Sequence, residues 1–309
     1  MLQFVKEIRM SHQHASRGIV VGVDGSPSST VAVEWAARDA QMRNVPLNVV
    51  YVVSPMVGPV EGLPAEYPKM RDEHARQVVE QAHKVAVEAM SPSVAQVSSE
   101  VVHAPVVPAL VEMSKTAEMM VVGCRGQGAV SGALLGSVSS GVVHHAHCPV
   151  AVIHDEDPLT TRSPQAPVVV GIDGSPMSEL ATEIAFDEAS YRGVGVVAVH
   201  AWTDMGPLGL AGLNWAPIEW RNIKDQEEEV LAERLSGWQE RYPDVDVHKI
   251  VVSDDPVPRL LEQAQNAQLV VVGSHGRGGF EGMLLGSVSR AVVNSAGIPV
   301  IVARMPHRR

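Results

Sequence analysis

Short apolar runs alternate with amphipathic segments along the chain, and this alternation predicts strands separated by helices. In the N-terminal half the apolar runs are rich in β-branched residues, which is typical of strands buried on both faces. The segments between them repeat apolar residues at helical spacing. This order indicates an α/β fold, an open parallel sheet with helices on both faces. The predicted strands are Ile19–Val23, Pro46–Val53, Val97–Val102, Met119–Gly123 and Val150–Ile153, and the predicted helices lie around Val31–Ala40, Glu73–Ala89, Pro108 and Val138–His147.

The second half of the chain repeats the first. The sequence Gly-Val-Asp-Gly-Ser-Pro at Gly22–Pro27 returns as Gly-Ile-Asp-Gly-Ser-Pro at Gly171–Pro176, and Leu134–Ser139 is identical to Leu284–Ser289. A repeat of this length is a whole domain, and a length of 309 residues suits two domains. We therefore expect an N-terminal extension at 1–16, a first domain at 17–154, a polar linker at 155–166 and a second domain at 167–309.

Each half carries a glycine-rich loop after its fourth strand. Parallel sheets bind ligands beyond the carboxyl ends of their strands, which singles out this loop and the loop after the first strand. The fourth-strand loops share the spacing G-x₂-G-x₉-G-S, from Gly123 to Ser137 and from Gly273 to Ser287. Glycine lets the backbone turn its N–H groups toward an anion, and the following helix adds its positive dipole end. A flexible connection with a serine helix cap would explain one copy, whereas two copies favour phosphate binding.

Asp24 and Asp173 end the first strand of each half, beside these loops. A carboxylate would repel a triphosphate, so we expect each to face a base or ribose hydroxyls. The alternative is an Asx-turn or a cap of the following helix. The chain has no G-x₄-G-K-[ST] motif, and its glycine loops are not spaced G-x-G-x-x-G. Neither a P-loop NTPase nor a dinucleotide-binding fingerprint is therefore indicated.

The paired Asp-Gly-Ser loop and the long glycine spacing resemble the universal stress protein family, in its tandem two-domain form common in actinobacteria. The resemblance extends from about Gly18 to Arg304. It implies two tandem five-stranded sheets of order 3-2-1-4-5, the adenine nucleotide alpha hydrolase-like fold. It also implies one ATP in each half, with Mg²⁺. The base would lie near Asp24 and Val52 in the first half, and near Asp173 and Ala201 in the second.

The residues that we expect around ATP are matched between the halves. In the first half they are Gly22, Asp24, Gly25, Ser26, Val52, Gly123, Arg125, Gly126, Gln127, Gly128, Gly136, Ser137, Val138 and Ser139. In the second half they are Gly171, Asp173, Gly174, Ser175, Ala201, Gly273, His275, Gly276, Arg277, Gly278, Gly286, Ser287, Val288 and Ser289. Arg277 replaces Gln127, and a guanidinium can fork onto phosphate oxygens, so we expect tighter ATP binding in the second half.

Two functional classes remain besides a nucleotide-dependent regulator of stress, dormancy or growth. Fast hydrolysis needs a metal, an oriented water and a charge stabiliser, and the halves share no base beside the phosphates, so we expect slow hydrolysis at most. An ATP pyrophosphatase or adenylyl-transferring enzyme typically carries an SGGxDS-type loop after the first strand, unlike Asp24–Pro27. A nucleotide-free interaction module is disfavoured because both glycine loops are intact.

Charge and composition narrow the partners. The net charge is −11 with no long basic run, which argues against nucleic acid. No apolar run approaches the ~18 residues of a membrane span, and Cys124 and Cys148 form no disulfide framework, so we expect a cytoplasmic protein. The family resemblance implies a homodimer formed through fifth-strand edges, and a regulatory protein partner. His144 and His147 invite a metal site, but a helix end with polar histidines is favoured; Met205–Trp220 is predicted to be a long loop.

Overall fold

The computed structural model describes residues 18–55, 66–91, 96–126, 135–154, 163–201, 217–277 and 284–305, with the backbone alone for 217–224. The chain divides into two compact units, unit 1 within residues 1–155 and unit 2 within 156–304. Each unit has parallel strands with helices on both faces, so the predicted α/β class is confirmed.

Unit 1 follows the expected strand order. Its described elements are β1 (Ile19–Val23), α1 (Pro27–Arg43), β2 (Leu47–Val53), α2 (Tyr67–Ala89), β3 (Val97–His103), α3 (Val106–Met113), β4 (Met119–Gly123), α4 (Ser137–His145) and β5 (Val150–Ile153). The strands are parallel and lie in the order β3-β2-β1-β4-β5. The chain therefore reverses direction across the sheet between β1 and β4, which opens a crevice at their carboxyl ends.

Unit 2 repeats this arrangement. Its described elements are β6 (Val168–Gly171), α5 (Pro176–Arg192), β7 (Val196–Ala201), α6 (Pro217–Arg241), β8 (Val247–Val252), α7 (Pro256–Ala264), β9 (Leu269–Gly273), α8 (Ser287–Ser295) and β10 (Val300–Ala303). Within the unit the order is β8-β7-β6-β9-β10, again parallel. The 3-2-1-4-5 order is thus confirmed in both units.

Several element boundaries differ from the sequence prediction. Helix α2 begins at Tyr67 rather than Glu73, because a proline in its first turn has no N–H to leave unpaired. Helix α4 ends at His145 rather than His147, since Ala146 is already extended. Helix α6 begins at Pro217, so the end of the predicted Met205–Trp220 loop is helical, while 202–216 lie outside the described residues.

The turn after the first strand of each unit is fixed by matching helix caps. The hydroxyl of Ser26 accepts the N–H of Ser29 at the start of α1, and Ser175 caps α5 in the same way. Both helices end on a residue in the left-handed region, Asn44 (φ 54°) and Gly193 (φ 64°). The serine caps at the helix starts hold the β1–α1 and β6–α5 turns in one conformation at the carboxyl ends of the strands, where the candidate site lies.

No helix among the described residues is both long and apolar enough to cross a membrane.

Candidate functional site

The carboxyl end of β1 brings Asp24 against the loop that follows β4. The Oδ1 atom of Asp24 accepts the N–H of Ser26 at 3.0 Å, which is an Asx-turn. On its other side the carboxylate faces Gly126, where a Cβ atom would lie 2.6 Å from Oδ2. Gly126 therefore cannot carry a side chain unless the carboxylate moves. The loops after the first and fourth strands meet at this point as one site.

Unit 2 builds the same contact, and hydrogen bonds hold both oxygens of its aspartate. Asp173 accepts the N–H of Ser175 on Oδ1 at 2.9 Å and the N–H of Arg277 on Oδ2 at 3.0 Å. A Cβ atom on Gly276 would clash with the same Oδ2 atom. The Asx-turn that was the alternative role for these aspartates is thus present in both units.

The last residues of β4 and β9 pack directly on the helix that follows the first strand. A Cβ atom on Gly123 would lie 2.5 Å from the Ser28 hydroxyl and 2.8 Å from its carbonyl carbon. On Gly273 it would lie 2.9 Å from the carbonyl carbon of Met177. Both glycines are needed for this close approach of two backbones.

The serines that follow the glycine loops divide into two kinds. Ser139 is buried, and its hydroxyl donates to the carbonyl of Gly123 at 2.6 Å; Ser289 makes the equivalent bond to Gly273. These hydroxyls stabilise the loop, so any contact with a ligand would fall to their backbone N–H groups. Ser137 and Ser287, in contrast, are exposed at the first residue of α4 and α8.

The alternative role for Ser137 and Ser287, as caps of these helices, is not found in the structure. Gly136 and Gly286 occupy the N-cap positions instead, and glycine has no side chain that could cap a helix. Their own N–H groups turn back to the carbonyls of Cys124 and Ser274, both at 2.7 Å. With a glycine at the cap, the N–H groups of the first helical turn remain available to an anion.

The end of β2 carries the residues expected near a base. Val52 lines a cavity of about 200 Å³ together with Tyr51, Ser54, Arg71 and His74. Arg71 donates to the carbonyl of Ser54 at 2.7 Å. Burial raises the pKa of the Tyr51 phenol, the nearby charge of Asp24 raises it further, and Arg71 opposes the shift. Val23 pairs with Tyr51 across the sheet, so Asp24 and Val52, the next residues of the two chains, lie in one region.

Unit 2 has different chemistry at the equivalent strand end, next to Ala201. His200 is buried, its Nδ1 lies 2.6 Å from the carbonyl of Ile172 and its Nε2 lies 3.0 Å from Glu227. A carbonyl oxygen only accepts a hydrogen bond, so Nδ1 of His200 donates to Ile172. The imidazole thereby connects helix α6 to Ile172, the residue before Asp173.

Sequence reasoning missed both His200 and Glu227, and it also missed Arg234. The guanidinium of Arg234 packs over Gly174 (φ +77°), whose Cβ would lie 2.5 Å from the guanidinium carbon, and it pairs with Glu179 at 2.9 Å. Helix α6 is far from these loops in sequence. The available signal was the departure from the repeat at His200, which replaces Tyr51.

The remaining predicted site residues lie in the first strands, in the turns, in the first turns of α4 and α8, or outside the described residues. Gly22 and Gly171 lie inside the first strands, where their open side faces Leu110 and Leu260 and serves helix packing. Arg125 and His275 flank the turns, and their carbonyls accept from Ser26 and Ser175. Gly25 takes a positive φ (83°) in the turn after β1. Val138 and Val288 lie in the first helical turns of α4 and α8. Gln127, Gly128 and Gly278 lie outside the described residues.

The hydrogen bonds at Asp173 predict a specific pH dependence. Burial raises the pKa of this carboxyl, but hydrogen bonds from Ser175 and Arg277 outweigh it, and the pKa lies below its usual value. A lowered folded-state pKa stabilises the fold above the unfolded-state value and loses that contribution as the pH falls through the folded-state value. The stability advantage of the wild type over Asp173→Asn should therefore shrink between about pH 6 and about pH 3.

Urea denaturation across that range checks this. Asp244→Asn, which removes an exposed carboxylate outside the site, controls for the loss of one negative charge. A wild-type advantage over Asp173→Asn that stays constant with pH would show that these hydrogen bonds do not favour the ionised form.

Within the described residues no group of three or more His, Cys, Asp or Glu side chains is arranged to hold a metal ion. His144 instead places Nδ1 2.6 Å from the carbonyl of Ser140, one turn earlier in α4. Any Mg²⁺ at this site would take its ligands mainly from phosphate oxygens and water, as Mg²⁺ commonly does.

The geometry defines a duplicated α/β protein with one aspartate–glycine loop site at the switch point of each sheet. The sequence model of the universal stress protein family matches residues 16–154 and 166–304. A universal stress protein of Mycobacterium tuberculosis is 65% identical over 311 residues, covering 96% of this chain and 98% of that protein. Another from the same species is 51% identical over 298 residues, covering 96% and 99%.

Among solved structures, a universal stress protein from Archaeoglobus fulgidus is 23% identical, with a TM-score of 0.66 over 94% of this chain and 99% of that one. At this identity the likeness shows the fold alone. The family model and the mycobacterial relatives carry the assignment: this chain is a tandem member of the universal stress protein family.

Proposed function

We propose that each unit of this protein binds one ATP with Mg²⁺, and that the protein acts as a nucleotide-dependent regulator in stress, dormancy or growth control. Hydrolysis, where it occurs, is slow and is not the main chemistry. A homodimer, a regulatory protein partner and a cytoplasmic location belong to the same proposal. They rest on family membership, and the two buried cysteines, neither in a disulfide, are consistent with a reducing compartment.

One observation carries the proposal: the same aspartate–glycine contact is built twice. Asp24 meets Gly126 and Asp173 meets Gly276, each time with no room for a Cβ atom. Packing alone seldom demands a bare backbone beside an ionised carboxylate at a sheet's switch point. A nucleotide accounts for both halves of this contact. Its ribose or base can donate a hydrogen bond to the carboxylate, and its phosphates can approach the exposed backbone of the glycine.

The loop beyond this contact suits phosphates. Gly136 and Gly286 leave the first turns of α4 and α8 facing the loop, where N–H groups and the helix dipole favour negative charge. The exposed hydroxyls of Ser137 and Ser287 can donate to a phosphate oxygen or join the shell of Mg²⁺. Bound Mg²⁺ would neutralise phosphate charge in either unit.

The described residues favour binding over fast hydrolysis. The carboxylates that both units place at the site are Asp24 and Asp173, and each already accepts backbone N–H groups in its turn. Beside the described ends of the glycine loops the units differ, with Arg125 in one and His275 in the other. Fast phosphoryl transfer requires a positioned base or water-orienting group, and the described parts of the two units share none there.

Mass spectrometry of small molecules released from the denatured protein tests the proposal directly, followed by calorimetric titration of the nucleotide-free protein with Mg-ATP. We expect adenine nucleotide in the released fraction, and two binding events per chain. If no adenine nucleotide is released and added ATP does not bind, the proposal is wrong.

The two sites should differ in affinity. The backbone N–H of Arg277 donates to Asp173, so this residue lies at the candidate site of unit 2. The matching residue of unit 1 is Gln127. A charge-assisted contact is roughly twice as strong as a neutral one, so we expect unit 2 to bind ATP about 10-fold more tightly. Titrating Gly126→Glu, which leaves unit 2 active, against Gly276→Glu, which leaves unit 1, measures this. Arg277→Gln should remove the difference, and equal affinities before that substitution would contradict it.

A further inference from the structure

Arg304 lies directly after β10 in unit 2, and it is buried. Only 6% of its surface is exposed, although its guanidinium remains charged at any physiological pH. Burying such a group is costly unless its donors are used. Its Nη1 donates to the carbonyl of Leu284 at 2.9 Å. Leu284 belongs to the glycine loop and lies two residues before Gly286, the N-cap of α8.

The same end of β10 also holds the start of that loop. The N–H of Ser274 donates to the carbonyl of Ala303 at 3.0 Å, and the N–H of Gly286 donates to Ser274 at 2.7 Å. Ala303 and Arg304 are neighbours, so adjacent residues of one strand end hold both the entry and the exit of the loop. The backbone fixes the entry, and the guanidinium fixes the exit.

Unit 1 has the backbone part of this clamp and a different side chain. The N–H of Cys124 donates to Ile153 at 2.7 Å, and that of Gly136 donates to Cys124 at 2.7 Å. The residue after Ile153 is His154, which is buried as Arg304 is. The repeat therefore retains a buried nitrogen-bearing side chain at this position, and only unit 2 makes it a permanent cation.

We propose that Arg304 is a positioning residue for phosphate binding in unit 2. It orders the Leu284–Gly286 segment, so that the first turn of α8 faces the phosphates, and it places a fixed positive charge behind that turn. This inference rests on the proposed function only for the nature of the ligand, since the loop order itself can be measured without nucleotide.

The test uses the full chain with unit 1 inactivated by Gly126→Glu. On this background Arg304→Gln should weaken ATP binding about 10-fold, because the Leu284–Gly286 segment loses the charge-assisted hydrogen bond that orders it. The loss should fall from ATP to ADP to AMP, because a charge effect scales with phosphate charge. Arg304→Lys, which keeps the charge, should recover most of the ATP affinity. Arg290→Gln removes an exposed charge from α8 itself and should change the affinity less than threefold.

Hydrogen exchange of the nucleotide-free protein supplies the independent measurement. The Gly286 amide, bonded to Ser274, should exchange faster in Arg304→Gln than in the wild type. Arg304→His, which copies the residue that unit 1 accommodates, provides a second variant at pH 8 if Arg304→Gln does not fold. Equal ATP losses in Arg290→Gln and Arg304→Gln, or unchanged Gly286 exchange in the Gln and His variants, would overturn the proposal. If wild-type unit 2 binds no nucleotide, the proposed function fails while the exchange result still decides the positioning role.

Discussion

Gly276→Ala is expected to weaken ATP binding by unit 2 between about 5-fold and about 100-fold while leaving unit 1 unchanged. The new methyl group would clash with Oδ2 of Asp173, and this oxygen is fixed because it accepts the N–H of Arg277. The other oxygen of this carboxylate, Oδ1, accepts the N–H of Ser175. The side chain therefore cannot rotate away without losing a second hydrogen bond. Overpacking of this kind costs about 1–3 kcal/mol, which is up to about 100-fold in a dissociation constant when the strained atoms form the site.

Titration of Gly276→Ala with Mg-ATP by calorimetry measures this loss. Gly297→Ala is the matched control, because a Cβ atom there meets nothing within 4 Å and the helix start is unaffected. Gly126→Ala should weaken unit 1 in the same direction, since its Cβ would lie 2.6 Å from Asp24. Wild-type affinity in Gly276→Ala would mean that the aspartate–glycine contact is not the ligand site.

Gly123→Ala is expected to destabilise unit 1 by about 2–3 kcal/mol, independently of any ligand. Its methyl group would lie 2.8 Å from the carbonyl carbon of Ser28, and backbone atoms at the start of α1 have little freedom to move. Ser28 is also buried and lies beside Cys124 and the carbonyl of Ile153. Relief of the clash would therefore disturb the packing of α1 on β4 and β5.

Urea denaturation followed by circular dichroism gives the stability change. Gly22→Ala serves as the comparison in the same unit, because its nearest neighbour is a side-chain carbon of Leu110 at 3.5 Å, an ordinary contact. We expect Gly22→Ala to remain within about 1 kcal/mol of the wild type. A Gly123→Ala protein as stable as Gly22→Ala would show that α1 is less closely packed on β4 than the structure indicates.

The strand order was predictable from the sequence through the repeat and the family resemblance. Runs such as Ile19–Val23 and Met119–Gly123 match the structure residue for residue, since a strand buried on both faces must be apolar throughout. Boundaries at helix starts were less predictable. Proline is compatible both with the first turn of a helix and with the loop before it, so Pro68 and Pro217 did not locate the starts of α2 and α6.

The candidate site was only partly readable. The glycine spacing located the loops between β4 and α4 and between β9 and α8. The roles of the serines depend on whether each hydroxyl faces the protein interior or the solvent. Ser139 turns its hydroxyl inward to Gly123, whereas Ser137 is exposed. Both lie in the first turn of one helix, and no local pattern separates them. Which serine faces inward depends on where the end of β4 lies, and that is set by packing against α1.

The sequence by itself determined the duplicated α/β architecture, the family and the edge of each sheet where the candidate site is expected, because these follow from periodicities, from the repeat and from the motifs that resemble the family. Only the tertiary structure decided which groups meet there. The repeat predicted that Asp173 lies beside the glycine loop. It did not predict the contact of His200 with Glu227 or that of Arg304 with Leu284. Such contacts arise when separate strand ends and helices converge, and the short-range signals of a sequence carry no record of that convergence. The paired glycine loops mark the site, and the side chains that hold them in place distinguish unit 2 from unit 1.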